Sequence, residues 1–244
     1  MPLTPMSREH PPEGDALLFR TYVCPLVLFL GFNLLLFAAQ ALLQWDHPAA
    51  PWWRRAPEML VYPLQTLACA AYLWRVRRGM ALAWALRPCL LGAAAGVLGI
   101  GLWLIPYAAG LIPAEGGFLP ARIFPDSPAA VVTQYAFRFA RAVLIVPLVE
   151  ELFWRGFLMR WCIDRDFPQT VPIGRGSWLA YAVTTAAFML AHNPADYAGA
   201  FLYGSIAYWV TVRTRALLPV IIMHAVANLI MGICAVGCHL PHLW

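Results

Sequence analysis

The chain contains no lysine, and all seventeen of its basic residues are arginine. Charge of either sign is scarce. Asp, Glu, Lys and Arg make up 12% of 244 residues, against about 25% in a soluble domain, while 61% of the chain is hydrophobic and the mean hydropathy is +0.66. That balance excludes an ordinary soluble domain and leaves a polytopic membrane protein. No basic-aromatic surface is visible, so a nucleic-acid partner is not expected, and the net charge of +5 is assigned to membrane topology. A cleavable leader is also missing: residues 1–20 are polar and proline-containing, with Arg8, Glu9, Pro11, Pro12, Glu13 and Asp15. They read as a cytoplasmic tail, followed by a single helical membrane domain over 21–244. Cys24, Cys69, Cys89, Cys162, Cys234 and Cys238 are scattered through apolar stretches as small hydrophobes, without the spacing of a disulfide framework. Internal repeats and low-complexity linkers are absent.

Crossing a bilayer takes about 20 apolar residues, and reading for that length gives candidate spans at 21–45, 57–74, 88–112, 129–162, 177–192, 196–212 and 216–237. The expectation is an all-α bundle of seven to eight spans. The fourth segment would cover about 50 Å at 1.5 Å per residue, so it is expected to bend at Pro147 or to continue as an interfacial piece. Arg75, Arg77, Arg78 and Arg87, then Arg160, Arg165 and Arg175, then Arg213 and Arg215 mark cytoplasmic loops. They alternate with loops such as the one bearing Glu115, Arg122 and Asp126. The amino terminus is thereby placed in the cytoplasm and the carboxyl terminus outside, with Arg54 and Arg55 against the trend. Arg138 and Arg141 either line a polar seam or touch substrate.

Within the fourth segment stand Glu150, Glu151 and Arg155. A charge at mid-bilayer costs roughly 2.5–3.5 kcal/mol even on permissive scales, so such groups need partners or a task. Residues four apart on a helix share a face and neighbours diverge by about 100°. Glu151 therefore pairs with Arg155, and Glu150 is left without a cation, as a carboxylate suited to take a proton from water. Later apolar segments carry Phe188 and His192, then His224 and Asn228, each pair four residues apart. An imidazole and an amide on one face could donate to an oxyanion. His192 would hold the water or leaving group, and Phe188 would limit water entry.

Glu150, Glu151, Arg155, Phe188, His192, His224 and Asn228 together resemble the motif set of the CAAX protease and bacteriocin-processing (CPBP, or Abi) family of intramembrane endopeptidases. The resemblance covers roughly residues 129–236. It implies that Glu150 activates water, that His192, His224 and Asn228 complete the site and hold the oxyanion, and that Glu151 and Arg155 are structural, with Phe188 beside them. The run from Glu150 to Leu158, followed by Arg160 and Trp161, also looks like the bacterial exosortase-associated CAAX-protease-related branch. A membrane protein or lipidated peptide would be the substrate, in a bacterial inner membrane and in contact with the lipid bilayer. No cofactor is expected. The rival mechanism places zinc on Glu150, His192 and His224, although a helical signature of two histidines four apart around a glutamate is absent. Cys234, Cys238, His239 and His242 are a weaker candidate metal site. A transporter or a non-catalytic scaffold is the alternative from another class. Counting from the arginine loops sets His192 about 10 Å deeper than His224, so either its helix tilts or the turn 193–196 dips inward.

Overall fold

A computed structural model of the chain describes residues 12–112 and 116–243. Residues 1–11 of the expected tail, and Glu115 of the expected outer loop, lie outside the described residues. The fold is helical, with no strand among the described residues. Its principal helices are α1 (Pro12–Tyr22), α2 (Cys24–Leu43), α3 (Glu58–Val76), α4 (Leu86–Ala108), the composite α5 (residues 128–161), α6 (Trp178–Leu190), α7 (Tyr197–Thr214) and α8 (Leu218–Gly237).

Three of these, α2, α4 and α8, are long and apolar enough to cross a membrane by length and composition alone. The other expected spans depart from that pattern for visible reasons. The α3 helix carries Glu58 and Arg75 at its ends, α5 carries the charged site residues, and α6 has only thirteen residues. Pro194 stops α6, because the residue before a proline is pushed out of helical geometry, and Asn193 is extended there (φ −66°, ψ 147°). The packed body also starts before residue 21. Leu18 and Tyr22 of α1 are buried in a core with Leu26, Phe29, Val149 and Leu152, and Tyr22 Oη donates to Gly79 O at 3.4 Å.

The composite α5 runs over residues 128–161 and changes register twice, once on either side of Pro147. It is α-helical over Pro128–Phe139, π-helical over Ala140–Ile145, α-helical over Val146–Glu151, π-helical over Leu152–Leu158 and α-helical again over Met159–Trp161. The Val146 N–H reaches back five residues to Arg141 O. Continued by one residue, that register would serve Ala142 O from position 147, where proline has no N–H to give. Within the first π segment, Arg141 lines a polar seam: its Nε donates to Gln65 Oε1 at 2.6 Å and its Nη2 to Asn33 Oδ1 at 3.2 Å.

A second core joins α4 to α8 through Ala95, Ile100, Trp154, Phe188, Tyr203, Val220 and Met223. The approach of α4 to α8 is close enough that a β-carbon on Gly96 would overlap the carbonyl oxygen of Met223, the residue before His224. Small residues at four-residue spacing let helix backbones meet in this way.

Candidate active site

The Glu151 carboxylate is fully buried. On one side it accepts from His224 Nδ1 at 2.9 Å, and on the other it meets Arg155 Nη1 at 3.0 Å, one helical turn ahead. The arginine contact is an ion pair without hydrogen-bond alignment. Arg155 is 1% exposed; its Nη2 donates to Gly204 O at 3.4 Å and its guanidinium lies 5.4 Å from the Phe188 ring centroid. The expected Glu151–Arg155 pair is therefore present, and it also holds a histidine. With the carboxylate oxygen as acceptor, His224 Nδ1 is the donor, which leaves Nε2 for the cavity. A carboxylate behind an imidazole commonly fixes its tautomer and ring orientation in this way.

His192 is fixed by a similar device. Its Nδ1 lies 2.8 Å from Phe188 O, and because a carbonyl can only accept, that nitrogen carries the proton. Phe188, 1% exposed, stands between the two imidazoles, with ring centroids 4.6 Å from His192 and 6.5 Å from His224. In their neutral forms both rings thus present an Nε2 lone pair, an acceptor rather than the oxyanion donor expected of them. Asn228 is also partly engaged: its Nδ2 donates to Ala142 O at 2.7 Å, the carbonyl that Pro147 leaves unserved. One amide hydrogen and Oδ1 remain.

Phe188, His192, His224 and Asn228 border one cavity of about 240 Å³. His192 and His224, expected at different depths, border this same cavity, as do Asn193 and Asp196 of the turn after α6. Glu150 does not line it; it is half-buried and without a hydrogen-bond or ion-pair partner among the described residues. Arg141 acts on Glu150 electrostatically, without an ion pair between them among the described residues. Nor do Glu150, His192 and His224 converge as zinc ligands: among the described residues no group of three or more His, Cys, Asp or Glu is clustered to hold a metal. That also applies to Cys234, Cys238, His239 and His242, of which His242 borders the cavity instead and stacks at 6.1 Å on Tyr107.

Sequence reasoning missed the wall opposite Phe188. Trp103 Nε1 and Tyr107 Oη both donate to Asp196 Oδ1, at 3.0 and 2.8 Å, which ties the turn after α6 to α4. The Trp103 ring meets His192 edge-on at 5.2 Å, and Tyr203 packs 5.8 Å from His224. Asp196 could have been flagged by the same rule that singled out Glu150, since it is a carboxylate between two apolar segments.

Residues 132–230, which include all seven motif residues, match the family model described as type II CAAX prenyl endopeptidase Rce1-like. Neither the curated proteins nor the solved structures contain a match to the chain.

Proposed function

We propose, from the match of residues 132–230 to the Rce1-like type II CAAX prenyl endopeptidase model, that the protein is an intramembrane endopeptidase that hydrolyses a peptide bond near the membrane-embedded or lipidated end of a protein substrate. The observation that carries this reading is the convergence of His192, His224 and Asn228 on one cavity, with His224 backed by a buried carboxylate–arginine pair. Water donates one hydrogen to His192 Nε2, beside His224, and keeps the other for the base. Glu150 takes the proton as water attacks the carbonyl carbon; it is the carboxylate left uncommitted once Glu151 is shared between Arg155 and His224. The free amide hydrogen of Asn228 donates to the resulting oxyanion, the interaction that catalysis of acyl transfer most depends on. The chain lies in a bacterial inner membrane with seven or eight crossings and a cytoplasmic amino terminus, and acts without a resident metal.

A second assignment of the base is favoured by one observation, that Glu150 does not border the cavity while His224 does. In it, His224 takes the proton and Glu151 stabilises the imidazolium. Cleavage of membrane-anchored and lipidated peptides by protein in nanodiscs separates the two. Glu150→Gln should lower the rate about 10²-fold or more with the melting temperature unchanged. Full activity in Glu150→Gln, with His224→Gln inactive, overturns Glu150 as base and gives the role to His224. Stoichiometric zinc, with activity lost on chelation and restored by zinc, would overturn the metal-free reading.

A further inference from the structure

Among the described residues there is a larger cavity than the one with the histidines. A groove of about 780 Å³ lies between the first turns of α6 and the end of α7, and no residue is common to the two cavities. It lies near Trp178, at the opposite end of α6 from His192, about 20 Å away at 1.5 Å per residue. Its walls are aromatic: Tyr181, Tyr208, and the tryptophans Trp178 and Trp209, which are 86% and 52% exposed. Its mouth carries Arg175 and Arg215, and none of its lining residues is acidic.

The placement of those two arginines is built into the backbone. Gly174 has φ +79°, and a β-carbon there would come 2.6 Å from Thr211 O and 2.7 Å from Arg215 Cα, so the loop rests directly on the end of α7. Arg215 ends that helix in left-handed geometry at φ 52°, which a non-glycine residue adopts only against steric resistance. Tyr208 Oη completes the junction, accepting from Ser177 N at 2.9 Å and donating to Ser177 O at 2.9 Å. Neither guanidinium has a hydrogen-bond or ion-pair partner among the described residues. Two like charges held at one groove without a carboxylate repel each other, and an anion between them relieves that repulsion.

We propose that this groove is a binding site for an anionic phospholipid, with the phosphate between Arg175 and Arg215 and an acyl chain along Trp178, Tyr181 and Trp209. Charge complementarity selects the headgroup: a zwitterionic lipid brings its own cation to a site that already holds two. The tryptophans select a bilayer lipid over free phosphate, since indole rings settle at the headgroup level of membranes with their apolar bodies against the chains. The site requires no chemistry and stands apart from the hydrolytic reading.

Native mass spectrometry of the full chain in detergent, titrated with phosphatidylglycerol or with phosphatidylcholine, tests this. The wild type should retain one phosphatidylglycerol and release phosphatidylcholine. Each arginine beside an anionic lipid contributes roughly fivefold in affinity, so Arg175→Gln with Arg215→Gln should weaken retention about 30-fold. Arg213→Gln, which removes a charge from α7 outside the groove, should leave it unchanged. Equal retention of the two lipids, an undiminished double variant, or an equal loss in Arg213→Gln each overturns the proposal. Should the double variant fail to fold, the single variants are read instead: a fivefold loss in each supports the site and no loss in either overturns it.

Discussion

Replacing Glu151 by glutamine changes one oxygen for an NH₂ group in a place where neither neighbour can tolerate it. The carboxylate has two claims on it, His224 at 2.9 Å and Arg155 at 3.0 Å, and it is wholly shielded from water. A glutamine amide must turn its NH₂ toward one of them. Toward Arg155 it opposes donors to donors and leaves a guanidinium, 1% exposed, with the carbonyl of Gly204 and the face of Phe188 as its other contacts. Toward His224 it forces the proton from Nδ1 to Nε2, and the cavity loses an acceptor. Stranding one member of a buried pair costs roughly 3–5 kcal/mol. At about 2–4 °C per kcal/mol for a chain of this size, the melting temperature should fall by roughly 6–20 °C. Detergent melting followed by intrinsic fluorescence reads the first effect, and cleavage below the melting transition reads the second. Arg155→Met should be destabilised comparably, and the double variant should be less destabilised than the sum of the singles, because the second substitution removes the charge that the first left stranded. Additive losses, or a Glu151→Gln protein that melts with the wild type, would refute the reasoning.

Three other outcomes follow from the packing. Gly96→Ala should lower both melting temperature and cleavage, because its methyl group can be accommodated only by moving the Met223 carbonyl and, with it, His224; a stable, fully active variant would show that α8 is not seated by α4. Asn228→Leu should cost about 1–2 kcal/mol by leaving Ala142 O unserved in an apolar surrounding, and adding Pro147→Ala should restore the melting temperature by supplying an N–H while leaving cleavage low. If Pro147→Ala gives no recovery, the register argument for α5 fails. Reporter fusions after Val76 and after Trp244 should report opposite compartments, and equal compartments would demand an even number of crossings between them.

The parts of the site that follow from one helix's own periodicity were legible in the sequence. Glu151 and Arg155 share a face at four-residue spacing, and so do Phe188 with His192 and His224 with Asn228; each of these pairs lies in the site. Less legible was what stands opposite a face. Spacing sent Glu151 toward Arg155 but could not say that His224, 73 residues away, completes its shell. The π segments were hidden for a related reason. The register of the first is held by a missing N–H at Pro147 and by the Asn228 side chain from α8, and a helical wheel drawn at constant angle contains neither. Trp103 and Tyr107 gave no signal, because aromatic residues in an apolar helix are ordinary until a carboxylate 93 residues from Trp103 collects them.

The tie between Asp196 and α4 bears on how portable the catalytic unit is. The recognisable family segment begins at residue 132 and ends at 230, yet Ile100, Trp103 and Tyr107 enter the cavity from before it and His242 and Leu243 from after it. A fragment cut at the segment's limits would keep every motif residue and lose a wall of the chamber. Asp196 would forfeit both of its donors, and the ring that seats His192 would be gone. Grafting the motif helices onto another membrane scaffold therefore requires carrying α4 with them, since that helix walls the candidate site as well as spanning the apolar bundle.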